Sequence, residues 1–213
     1  YNNLYHLLES TGAADQAQGI FYANTGASFN RGIEVSYRKS LQENEDGFFG
    51  WVSYTYTRAD VSSAAGNFPF RYEQRHVVKM IGVYRVGAYE LGARFEMFTG
   101  FPYTPITGSS CATGYACAGD PTTTLYTPTY STDINSAHFP LFHRLDLRFT
   151  RKSTYSWGTF SWFIEFINVY NNEPKLRQAF NNAQPYEDGR NPRILGPSTP
   201  LNLIPNFGLE WKF

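Results

Sequence analysis

The last eight residues, Asn206 to Phe213, alternate polar and apolar to the very end of the chain. Phe207, Leu209, Trp211 and Phe213 share one parity, and Asn206, Gly208, Glu210 and Lys212 share the other. Period two sends successive side chains to opposite faces of a strand, so this segment reads as a strand with one apolar and one wet face. Chain ends fray unless docked, and a patterned strand finishing on an aromatic is expected to be paired and anchored. In a soluble sandwich its apolar face would point inward; in a membrane barrel it would point to lipid.

The same alternation recurs upstream. Phe29 to Lys39 sets Ile33, Val35 and Tyr37 against Gly32, Glu34, Ser36 and Arg38, and Phe49 to Arg58 sets Val52, Tyr54 and Tyr56 against Ser53, Thr55 and Thr57. His76 to Arg85 follows less cleanly, because Val77, Ile81 and Val83 share the wet side. Tyr89 to Phe98, Phe142 to Arg151 and Thr159 to Tyr170 continue the series. With the fragment Tyr1 to Leu8 and the terminal strand, residues 1–213 are expected to hold about eight strands in one all-β domain. These strands have about the 9 to 11 residues that cross a bilayer when tilted.

Connections sort by length. Gln42 to Gly47, Val86 to Ala88 and Ser153 to Gly158 are short, whereas Val61 to Glu73, Thr104 to Pro140 and Asn171 to Pro205 are long. Outer-membrane barrels show this arrangement, with short periplasmic turns and long external loops. Aromatic residues cluster at the strand ends: Phe48, Tyr89, Tyr155, Trp157, Trp211 and Phe213 at one, Tyr72, Phe101, Tyr103, Phe142 and Tyr170 at the other. Such girdles suit the two membrane interfaces. The expected fold is therefore a transmembrane antiparallel β-barrel, either closed by these strands or forming a sector of a larger one, because open edges in lipid would leave backbone groups unpaired.

Composition removes other classes. Lys and Arg number 18 against 18 Asp and Glu, and no basic stripe exists for nucleic acid. No run approaches the roughly 20 apolar residues of a spanning helix. The chain begins at Tyr1 without Met or signal peptide, which reads as a processed product or, preferably, part of a longer polypeptide. Cys111 and Cys117 bracket a small loop and are expected to form a disulfide in an oxidising compartment. A metal site there would need further ligands, and the nearest, His138, is distant in sequence. No metal and no cofactor is expected.

Catalytic chemistry finds no specific arrangement. His138, His143, Asp133, Asp146 and the serines show no spacing that singles out a triad, and His76 and His143 read as structural groups near strand starts. The acids Glu90, Glu96, Asp146 and Glu165 interleave with Arg94, Arg144 and Arg148, which reads as an ionic lattice rather than a carboxylate pair. The chain is expected not to be an enzyme.

An ordered series of short motifs carries a resemblance. Asn24-Thr25-Gly26 leads to Arg31-Gly32-Ile33-Glu34, then Ser53-Tyr54-Thr55-Tyr56, Gln74-Arg75-His76-Val77 and Thr99-Gly100-Phe101-Pro102-Tyr103-Thr104-Pro105. Arg144-Leu145-Asp146-Leu147-Arg148 and Phe166-Ile167-Asn168-Val169-Tyr170-Asn171 complete it. This series resembles the carboxy-terminal barrel strands of TonB-dependent outer-membrane receptors, and Asn206, Gly208, Trp211 and Phe213 resemble the assembly signal of outer-membrane proteins. The resemblance implies a sector of a barrel of about 22 strands, whose plug and earlier strands are not in this sequence.

It further implies active uptake of a scarce solute: a siderophore, cobalamin, carbohydrate or peptide. Arg94, Glu96, Arg144, Asp146, Arg148 and Glu165 would face the lumen or plug, and Phe101, Tyr103, Tyr126, Tyr130 and Tyr186 would meet substrate on external loops. Implied partners are outer-membrane lipid, the remaining barrel strands and plug, TonB acting through that plug, and the barrel assembly machinery. The implied location is the bacterial outer membrane, with long loops extracellular and the carboxy terminus periplasmic. A self-contained eight-stranded barrel with a structural or adhesive role is the alternative, and a passive porin sector a third reading.

Overall fold

Alternating β-branched and aromatic residues form strands because they fit a pleated, half-buried surface, and a computed structural model shows them doing so over most of the chain. It describes residues 4–7, 22–42, 45–63, 65–115, 117, 124–186, 191–197 and 202–213. In chain order the strands are β1 (Leu4–Leu7), β2 (Tyr22–Lys39), β3 (Gly47–Ser63), β4 (Gly66–Pro69) and β5 (His76–Val86). Next come β6 (Tyr89–Phe98), β7 (Pro102–Tyr103), β8 (Ile106–Cys111), β9 (Tyr126–Tyr130) and β10 (Ala137–His138). The last are β11 (Phe142–Tyr155), β12 (Gly158–Ile167), β13 (Arg177–Ala179), β14 (Arg193–Leu195) and β15 (Ile204–Lys212).

One antiparallel sheet dominates, in the order β1-β2-β3-β5-β6-β11-β12-β15, with β4 folded back on β3. Three two-stranded ribbons, β7 with β10, β8 with β9 and β13 with β14, lie in the long connections. Of the fragment Tyr1 to Leu8, residues 1–3 and 8 lie outside the described residues. The terminal strand pairs with β12 over nine positions, from Thr159 opposite Lys212 to Ile167 opposite Ile204.

The expectation of a closed transmembrane barrel, or of a sector of a 22-stranded one, is corrected by this topology. The sheet is open: β1 and β15 stand at its two ends and are not paired with each other. Period two reports that a strand has two unlike faces; it carries no information about whether the first strand of a sheet meets the last.

Register then fixes the faces. Val35, Tyr54, Val78, Met97 and His143 form one cross-strand row, and Leu91, Phe149, Ile164 and Phe207 another. Opposite residues of antiparallel strands share a face, so these rows build one apolar surface. Much of it is exposed, including Ile33, Tyr37, Leu91 and Leu209. The other face carries Lys79, Glu96 and Arg144 in one row and Ile81, Arg94 and Asp146 in the next. A single-layer sheet buries little, and the buried apolar residues among those described are Ala59, Val61, Ile106, Phe139 and Phe142. All five lie toward the end of the sheet that bears the long connections.

On the terminal strand the four motif residues have local structural work. Asn206 Nδ2 donates to Glu165 Oε2 at 3.3 Å. Gly208 lies under the Phe163 ring, where a Cβ would collide with it, and the Arg148 guanidinium covers the same ring at 3.6 Å. Trp211 packs between Trp157 and Phe213, with centroids 5.1 and 5.4 Å away.

Candidate functional site

Loop segments meet where strands end, and the ends here are set by buried polar groups. β12 stops at Asn168, whose φ of 58° leaves the extended region; Asp146 Oδ1 accepts the Asn168 N–H at 2.8 Å and fixes the exit. Thr159 to Tyr170 was expected as a continuous strand, and this cap ends it at Ile167. At β3, the buried Glu73 carboxylate accepts from the Ala59 N–H at 2.8 Å and from Arg75 Nε at 2.8 Å, holding the connection after β4 against the sheet.

The connection between β6 and β11 folds onto that platform. Phe139 N–H donates to the Phe101 carbonyl, and β7 pairs with β10 through Ala137 opposite Tyr103. Gly100 makes the approach possible, since a Cβ there would drive into the Phe139 carbonyl. Asn135, at φ 54°, takes the Thr104 hydroxyl as acceptor for its N–H and donates Nδ2 to the Pro69 carbonyl at 2.8 Å. Gln178 Oε1 in β13 accepts the Ile106 N–H at 3.2 Å.

Between these segments opens a cleft of about 440 Å³, lined by Arg71, Tyr72, Phe101, Pro102, Tyr103, Thr104, Tyr130, Asn135, Phe139, Leu176, Arg177 and Gln178. Small-ligand pockets run from about 300 to 1,000 Å³. Tyr103 stacks on Phe139 with centroids 4.4 Å apart. Phe101 meets Tyr72 edge-on at 6.0 Å, and Arg71 sits over the Tyr72 ring at 5.0 Å. Ring faces, two guanidinium groups and side-chain amides therefore share one concave surface.

Of the residues expected to contact substrate, the structure brings Phe101, Tyr103 and Tyr130 to this cleft. Tyr126 and Tyr186 lie outside it. Tyr126 pairs with Cys111 and donates its N–H to the Asn182 carbonyl; the Tyr186 N–H donates to Ser109 Oγ at 2.8 Å. Both brace the β8–β9 ribbon, beyond whose turn end, at the last residue of β8, Cys111 is joined to Cys117 by a disulfide. Sequence reasoning missed Arg71, Asn135, Phe139, Arg177 and Gln178. They come from three separate connections, which hydrogen bonds and the Tyr72–Phe101 ring contact bring together.

The ionic residues assemble on the polar face. Arg94 Nη2 lies 2.6 Å from Asp146 Oδ2 and Arg144 Nε 3.3 Å from Asp146 Oδ1, while Arg144 Nη2 is 3.7 Å from Glu96. Arg148 and Glu165 stand directly opposite, but Arg148 instead covers Phe163 and donates to Thr150 Oγ1 at 3.3 Å. A second cluster joins Glu90 to Arg85 at 2.8 Å and to Lys152 at 2.9 Å. Burial works to raise the Glu90 carboxyl, but hydrogen bonds and charge from Lys152 and Arg85 outweigh it and hold the group below the ordinary carboxylate value. Tyr170 is raised, first by burial and then by the Asp146 charge, and its hydroxyl is 2.7 Å from His143 Nδ1. His76 Nδ1 is likewise 2.8 Å from the Tyr54 hydroxyl. Among the described residues no three His, Cys, Asp or Glu side chains gather as a metal site.

No protein-family model, no curated protein and no solved structure matches the chain. With an open sheet and no such match, the TonB-dependent receptor reading is corrected together with the uptake of a siderophore, cobalamin, carbohydrate or peptide built on it, and the open sheet equally corrects the alternative, a self-contained barrel with a structural or adhesive role. The partners inferred from it lose their support in the same way: outer-membrane lipid, the remaining barrel strands and plug, TonB and the barrel assembly machinery. Placement in the bacterial outer membrane, with loops extracellular and the carboxy terminus periplasmic, was implied by the same resemblance and is corrected with it. Of the short motifs that carried the resemblance, those in β2, β3 and β11 are features of two-faced antiparallel strands, and they sit here in an open sheet.

Proposed function

We propose that the chain acts by binding rather than by catalysis, and that the loop-end cleft holds a glycan bearing a carboxylate. The observation that carries the reading is the meeting of ring faces with Arg71 and Arg177 in one cleft. A pyranose presents a flat C–H face that packs on an aromatic ring, in the manner of other apolar faces. A uronate carboxylate suits the planar fork of a guanidinium, which binds it through two parallel hydrogen bonds. Tyr103 is held rigid by stacking on the buried Phe139, and Gln178 and Asn135 are already fixed by backbone bonds, so little side-chain freedom is lost on binding.

Isothermal titration with tetragalacturonate and with the neutral galactose tetramer tests this. The acidic glycan is expected to bind about tenfold or more tightly than the neutral one. Arg177→Ala should bring the acidic glycan down to the neutral level, whereas Tyr103→Ala should weaken both. Equal binding of the two glycans, or no binding of the acidic one, sinks the reading.

A further inference from the structure

The charges of the polar face fall into two groups. Over β6 and β11, Arg94, Arg144, Glu96 and Asp146 hold one another. Over β2, β3 and β5, neither Arg38, Lys79 nor Glu34 makes an ion pair among the described residues; Glu96 stands directly opposite Lys79 but is taken by Arg144. The rings of this face divide in the same way. Arg85 covers Phe49, Arg148 covers Phe163, and Phe98 packs on Phe142. Trp51 shares the face through its register with Arg38 and Ile81, yet among the described residues no ring and no cation covers it.

The ladder of β2, β3 and β5 sets these groups in rows. Arg38 and Trp51 stand in one row, Ser36, Ser53 and Lys79 in the next, and Glu34 and Thr55 in a third, each about 7 Å from the last along the strands. Glu34, Ser36, Arg38, Trp51, Ser53 and Lys79 line one concave space of about 620 Å³. A flat heterocycle stacks on an indole face whatever its substituents. One row away, a phosphate would receive hydrogen bonds from the Ser36 and Ser53 hydroxyls and sit between a guanidinium and an ammonium, two positive charges for a dianion. From this bare ring beside two unpaired cations we infer that the polar face of β2, β3 and β5 binds a nucleoside 5′-monophosphate, its base on Trp51 and its phosphate between Arg38 and Lys79. Glu34, one row beyond the phosphate, repels a second phosphoryl group and so selects the monophosphate over the triphosphate. The space shares no lining residue with the loop-end cleft, and the inference is independent of the glycan reading.

Isothermal titration of the full chain with AMP, adenosine, inorganic phosphate and ATP tests it. AMP is expected to bind about tenfold or more tightly than each of the other three. Lys79→Gln and Arg38→Gln should each weaken AMP about tenfold, and Trp51→Ala should bring it down to the level of inorganic phosphate. Glu34→Gln should raise ATP toward AMP. Indole fluorescence separates stacking from a loss of fold: AMP should quench the wild-type emission, and Trp51→Phe should hold AMP within about threefold of the wild type while abolishing the quenching. No binding of AMP, AMP no tighter than adenosine, ATP tighter than AMP, or quenching that survives in Trp51→Phe overturns the inference.

Discussion

The two ends of the sheet are held by different physics. At the end bearing the long connections, buried polar groups do the holding: Glu73, Asp146 and Asn168 are each nearly or wholly buried, and the carboxylates accept backbone N–H groups of the segments they fix. At the end bearing the short turns, exposed rings and ion pairs do it. Tyr155 stacks on Trp157 at 4.8 Å, Trp157 packs on Trp211, and Phe213 is 99% exposed. A buried acceptor specifies one geometry, because leaving its partner unsatisfied is costly; an exposed stack tolerates several. The rigid end is the one that carries the cleft.

Asp146→Ala breaks that contrast most severely. The carboxylate is 3% exposed and serves Arg94, Arg144 and the Asn168 N–H together. Its loss leaves the Asn168 N–H without its acceptor and removes one carboxylate from Arg94 and Arg144, at a cost of about 3 kcal/mol in denaturant unfolding. It also removes one of the two causes that raise Tyr170, so the tyrosinate absorbance of that residue should appear at lower pH than in the wild type. A variant that unfolds at wild-type denaturant concentration would show that the loop end is not held by this network.

Glu90→Gln probes the turn end, where a half-shielded cluster joins β6 to β5 and β11. The Glu90 carboxyl titrates below its ordinary value in the folded protein, so it binds protons less readily there than in the unfolded chain. Its contribution to stability is therefore fully present above the unfolded value of about 4.3 and is lost as pH falls through the lower folded value. The glutamine variant should cost about 1 kcal/mol at neutral pH and unfold with a shallower dependence on pH in the acid range. An unchanged acid profile would assign the acid sensitivity to other carboxylates.

The same contrast explains which parts were legible in the amino-acid sequence. Strands such as β11 stand out because Leu145, Leu147 and Phe149 alternate with Arg144, Asp146 and Arg148, and the sheet they build has the expected faces. The short turns were legible too, since Gly87 and Gly158 adopt positive φ where the chain reverses. Closure was not, because alternation describes a strand's two faces and not its neighbours. The ribbons β8–β9 and β13–β14 were hidden in segments where Gly, Pro and Cys interrupt the alternation. For the cleft, Tyr103 and Phe101 were visible as aromatics beside a strand end. Their partner Phe139 depends on a contact across 36 residues from Tyr103, and Arg177 on a hydrogen bond from the Ile106 N–H to Gln178 Oε1.

Lys212→Ala should have the smallest effect and is the sharpest check on tolerance at the turn end. Its ammonium lies 3.1 Å from Glu210, but the two side chains are 72% and 56% exposed. Water screens such a pair and its ordering costs side-chain entropy, so the variant should change stability by no more than about 0.5 kcal/mol, with less effect still in high salt. Trp211 remains stacked against Trp157 and Phe213 in that variant, because none of those ring contacts passes through the lysine. A loss of 2 kcal/mol or more by thermal or denaturant unfolding would mean that the terminal strand is held by its charges rather than by its rings and backbone pairing to β12.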